Sequence, residues 1–89
     1  MNGIEMIQQE RKDQIEKHGR DLNHDIRYNA DSQLLQCAKA LISDNPEQNH
    51  PIGWEDSAVY KMANKPKIER LAIAAALIAA EIDVLKAST

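Results

Sequence analysis

The stretch Lys67 to Lys86, KIERLAIAAALIAAEIDVLK, constrains the fold of this 89-residue chain more than any other part. Ile68, Leu71, Ala75, Ile78, Ile82 and Leu85 recur at steps of 3-4-3-4-3. At about 100° per residue they stay on one side of an α-helix. Ile73, Leu77, Ala80 and Val84 step by 4-3-4 and fall almost opposite. A helix apolar on two opposed faces must be covered on both, so it lies centrally in its own domain or between subunits. Ala72, Ala74, Ala76 and Ala79 leave room for close helix–helix approach. Helices of modest length elsewhere in the chain cannot easily cover both sides. The pattern therefore favours self-association, a homodimer or higher oligomer, over a three-helix core with an alanine-rich centre.

The remaining elements are shorter. Ile4, Ile7, Arg11, Ile15 and His18 share one face of a first helix, about residues 3–18, which Asn2 can cap and Gly19 can end. Glu10, Asp13, Glu16 and Lys17 read as its solvated side, and Arg11 is the oddity in its apolar stripe. After a polar linker, Asp31 or Ser32 caps a second helix, about 32–43, with Leu34, Leu35, Ala38, Leu41 and Ile42 on its apolar face. Cys37 lies one step aside as a small buried thiol. The segment DNPEQNHPIGW is a loop, with Ile52 and Trp54 plugging it onto the core. A short helical piece follows at about 55–62, with Val59 and Met62 inward, and Pro66 suits the first turn of the last helix, about 67–86. The expected fold is all-α. It is one domain, residues 1–89, built as a small bundle of three main helices plus a short helical piece, with the last helix central.

Composition removes several classes of function. Fourteen acids against eleven bases give a formal charge of −3, without the basic footprint that nucleic acid requires. There is no phenylalanine, one tryptophan and two tyrosines, too few for a base-stacking platform. Nucleic acid is therefore not an expected partner. The lone cysteine admits no internal disulfide and fits a reducing compartment. The most apolar run, LAIAAALIAA, is ten residues long and falls short of a membrane span, and no leader pattern opens the chain. A soluble, cytoplasmic protein with no membrane partner is expected.

The densest run of capable side chains is EKHGRDLNHD, from Glu16 to Asp25. Arginine suits phosphate because its planar fork binds bidentately. Arg11, Arg20 and Arg27, with His18, His24, Asp25 and Tyr28, are accordingly the ligand-binding candidates. A transition-metal site of His18, His24 and Asp25 has no regular ligand spacing, and the plainer reading has His24 and Asp25 capping the turn and bonding across helices. Magnesium would need oxygen ligands, for which Glu10, Asp25 and Glu81 are the candidates. Glu81 and Asp83 point about 160° apart on their helix, so one ion cannot take both. Against the magnesium set stands a polar junction in which Glu81 pairs with Arg11 or His18, the preferred reading, since a buried carboxylate must be paired. No glycine-rich loop cradles a triphosphate. Cys37 sits in an apolar helix and the serines lie at caps and ends, so no nucleophilic arrangement is supported.

Taken together, IQQERKDQIEKHGRDLNHDIRYNADSQLLQCAKAL, then PIGW, then KIERLAIAAALIAAEIDVL, resemble a set of small, mostly uncharacterised phage and prophage proteins. The matching residues are Glu10, Arg11, Gln14, Ile15, Gly19, His24, Asp25, Leu34, Trp54, Ala80, Glu81, Ile82 and Asp83. Arg20 stands where those proteins commonly carry tryptophan, and their Trp-Pro-Trp loop is reduced to Trp54. The pattern is also similar to the first domain of some phage dATP/dGTP diphosphohydrolases and, more distantly, to MazG-like helical pyrophosphohydrolases. The latter hold magnesium on E-x-x-E and E-x-x-D motifs, whereas here ERKD is not E-x-x-E and AEID places its acids two apart.

These readings lead to one expectation with two competitors. The expected protein is non-catalytic, phage-type and helical. It acts as an oligomer in the host cytoplasm on a host protein or a small phosphorylated nucleotide, with no cofactor. The competitors are a magnesium-dependent nucleotide pyrophosphohydrolase and a purely structural or accessory domain.

Overall fold

The computed structural model describes residues 1–19, 21–28, 33–43 and 61–87. The fold is all-α. Its described helices are α1 (Gly3–Glu16), α2 (Leu22–Tyr28), α3 (Gln33–Ile42) and α4 (Lys67–Ala87), and residues 61–63 are helical too. The backbones of α1, α2 and α3 each pack against α4 and, among the described residues, not against one another. The last helix is thus the axis of the fold.

The core lies between α3 and α4. Leu34, Cys37, Ala38 and Leu41 meet Ile73, Ala74, Leu77, Ala80 and Val84, and Met62 packs alongside. The whole inner face read from the sequence is buried. Ile42, expected on the apolar face of α3, is instead half in water at its C-terminal end. Arg70 crosses from α4 and donates from Nη1 to the carbonyl oxygens of Leu41 and Ser43, at 3.3 and 3.4 Å. Those carbonyls end α3 and have no helical partner of their own, so a cation there satisfies them and complements the helix dipole.

The opposite face of α4 is open. Ile68, Leu71, Ile78, Ile82 and Leu85 are 69, 45, 40, 52 and 57 % exposed. Among the described residues, the inner stripe of the central helix is buried and the outer stripe is exposed.

At its start α1 carries a full capping box: Asn2 accepts from the Glu5 backbone, and the Glu5 carboxylate accepts from the backbone of Asn2. The helix closes at Lys17, and Gly19 takes the left-handed conformation, φ 65°. A side chain at Gly19 would meet nothing within 4 Å, so Gly19→Ala should show only the conformational cost. We expect a loss of about 1 kcal/mol, read as a small drop in melting temperature without a change in cooperativity.

The inward stripe of α1 differs from the expected one. Its one buried residue is Gln14, flanked by half-buried Ile7, Glu10 and Arg11, while Ile4, Ile15 and His18 are exposed. The helix is rotated toward its Glu10–Gln14 edge, where Arg11 meets acids of α2 and α4. Glu10 and Asp13, expected in solvent, are half-buried as a result.

The polar linker holds the second departure, helix α2. Asp21 starts it by accepting from the His24 backbone at 2.9 Å. Seven residues are too few to be stable as an isolated helix, so α2 depends on its packing against α4. Arg20, the caps Asp31 and Ser32, the loop with Ile52 and Trp54, and most of the 55–62 piece with Val59 lie outside the described residues.

Candidate functional site

The polar residues of the site come from three helices. Gln14 and Arg11 project from α1, one turn apart, and Arg11 Nη1 donates to Gln14 Oε1 at 3.4 Å. From α2, Asp25 is 0 % exposed, and its Oδ2 lies 3.8 Å from Arg11 Nη2. From α4, Asp83 Oδ2 lies 4.0 Å from the same nitrogen, with its side chain about half in water. The His24 Nδ1 stands 3.5 Å from Asp25 Oδ1. One guanidinium therefore ties α1 to α2 and α4, and Asp25 is the acid that most needs it. A fully buried carboxylate loses its hydration and must recover it from charge and hydrogen bonds.

Arg11 sits in a polar junction, and among the described residues the acids within 4.0 Å of it are Asp25 and Asp83. Glu81 is placed elsewhere. Two residues before Asp83, it projects about 160° away around the helix, so the turn that gives Asp83 to α1 takes Glu81 to the other flank. Glu81 is 7 % exposed, and its Oε2 has no hydrogen-bond partner among the described residues. Spacing alone could have shown which of the two acids meets Arg11 only if the rotation of α1 were known.

Glu10 belongs to a different neighbourhood. Burial pushes its carboxyl above the ordinary glutamate value; Lys65 and His18 pull it down, and Asp13 and Glu69 push it further up. These partners place Glu10 toward the start of α4, whereas Arg11 reaches Asp83 near its end. Glu10, Asp25 and Glu81 do not converge. Among the described residues, no three His, Cys, Asp or Glu side chains gather in a way that could hold a metal ion.

Of the ligand-binding candidates, His24 and Arg27 share a surface. With Asn23 and Ile26 they line an open depression of about 560 Å³ on α2. That volume falls within the usual range of small-molecule sites. Arg11 faces its two acids, His18 is exposed on the turn after α1, and Arg20 and the side chain of Tyr28 lie outside the described residues. The structure thus separates the expected anion pocket into a structural guanidinium, Arg11, and an outer pair, His24 and Arg27.

Asp83 and Gln14 are the junction residues that sequence reasoning passed over. The available signal was Arg11 itself, since a cation in an inward stripe needs neighbours at i+3 or i+4 and on the facing helix.

Among the described residues no helix is long and apolar enough to cross a membrane. Comparison with known protein families, curated proteins and solved structures returns no match. Among the described residues, the fold and the junction define an all-α protein organised around one central helix with exposed aliphatic side chains on its outer face.

Proposed function

We propose that this is a non-catalytic helical binding protein of the phage and prophage kind that its sequence resembles, acting as an oligomer in the host cytoplasm. The observation that carries the reading is the outer face of α4, where five large aliphatic side chains stand in water along one helix. Contiguous exposed apolar surface of this kind marks an interaction site. Its ligand is a host protein or a small phosphorylated nucleotide. The nucleotide branch is supported by the depression on α2, where His24, Arg27 and Asn23 supply donors beside apolar Ile26.

Light scattering on the 10.0 kDa chain should give a mass at least twice that of one copy. Ile82→Asp should reduce it to a single copy while leaving the helical circular-dichroism signal intact. A thermal-shift and mass-spectrometric screen of nucleotides and cyclic dinucleotides, with and without Mg²⁺, then separates the ligands. A shift without turnover supports nucleotide binding, and no shift leaves a protein partner. Turnover would replace the proposal with a magnesium-dependent pyrophosphohydrolase, and a monomeric wild-type chain would remove its oligomeric half.

A further inference from the structure

We propose that the outer face of α4 is covered by α4 of a second copy, packed antiparallel about a two-fold axis. This rests on the oligomeric reading above and specifies its geometry. With half-buried Ala75, the exposed residues form a stripe in steps of three and four, the spacing by which two helices interlock side chains along a seam. From Ile68 to Leu85 the seam runs about 26 Å. Its five exposed aliphatic residues present roughly 500 Å² per copy, near the upper limit for one patch on a monomer. Two such faces fully in contact remove up to roughly 1,000 Å² from these residues, the minimum that a biological interface must clear.

The direction follows from side-chain size. In a parallel pair each residue meets its own copy, so Ala75 faces Ala75 and leaves a hollow layer between two layers of larger residues. In the antiparallel pair, with the axis midway along the stripe, Ile68 faces Leu85 of the partner subunit and Leu71 faces Ile82 of the partner subunit. Ala75 then faces Ile78 of the partner subunit, so a small residue meets a large one and the layers fill evenly. Ala72 and Ala79 border the seam and keep the backbones free to approach. Antiparallel dipoles also attract, whereas parallel ones repel.

Cysteine cross-linking of the full-length chain tests this, because Cys37 is buried and wild type provides the background. Leu71→Cys and Ile82→Cys are made separately, with Gln9→Cys on the exposed side of α1 as control. Under mild oxidation, mixed Leu71→Cys and Ile82→Cys chains should form a covalent heterodimer at least ten-fold in excess of either variant by itself. Efficient self-linking of Ile82→Cys would overturn the antiparallel direction. A dimer by light scattering that cross-links only through Gln9→Cys, or through none of the three, would overturn the seam and leave the oligomeric reading standing. A monomer by light scattering would remove both, and assign the face to a different protein or to another part of the chain.

Discussion

Leu77→Ala should cost about 3–4 kcal/mol of folding stability, which for a domain of this size lowers the melting temperature by roughly 12–32 °C. Leu77 is fully buried at the centre of the α3–α4 core, among Leu34, Cys37, Leu41 and Ile73. Truncation removes its transfer free energy and leaves a hole, and the total depends on how far the surroundings can collapse. Here they can collapse little. On α4, Ala74, Ala76 and Ala80 have no side-chain length to move into the space, which leaves Ile73 as the large core neighbour there, and the chain contains no phenylalanine to swing across it. Ile78→Ala, one residue further along but on the outer face, should cost less than about 1 kcal/mol of intrachain stability. Urea unfolding at low protein concentration, followed by circular dichroism, measures both. A midpoint shift for Leu77→Ala no larger than that for Ile78→Ala would show that the core is not where the packing places it.

The same helix shows why much of the fold was legible in the sequence. A 21-residue helix with long aliphatic runs declares its period clearly, and both of its faces could be read without reference to the rest of the chain. The inner face is buried residue by residue, from Ile73 through Val84. Helix α3 was legible for the same reason, down to the buried thiol of Cys37. Helix α1 was harder. Its existence followed from Asn2 and Gly19, but its rotation goes with Arg11, whose acid partners lie on α2 and α4 and leave no trace in local periodicity. Helix α2 was missed because its sequence, LNHDIRY, has too few apolar residues to show a period, and its stability comes from α4. The site inherits both difficulties. Arg11 and Asp25 could each be singled out as residues with chemistry to explain. That Asp83 rather than Glu81 reaches Arg11 depends on a rotation about α1 that tertiary contact sets.

That junction carries the second large effect. Arg11→Met keeps most of the stem of the side chain and removes its charge, and we expect a loss of about 3–5 kcal/mol. The Asp25 carboxylate, 0 % exposed, loses the guanidinium 3.8 Å away, and Gln14 loses its donor. A buried charge deprived of its cation costs far more than the pair contributes when intact, because its desolvation is no longer offset. Asp83 responds differently. Its side chain is 53 % exposed, water already solvates it, and Asp83→Asn should change stability by no more than about 0.5 kcal/mol. The double variant Arg11→Met/Asp25→Asn distinguishes charge from shape. Replacing the buried carboxylate with a neutral amide of the same size should recover at least half of the Arg11→Met loss, giving strong coupling in a double-mutant cycle. Additive losses in that cycle would mean that Arg11 and Asp25 stabilise the fold independently, and that the helices are held together at this end by packing rather than by the ion pair.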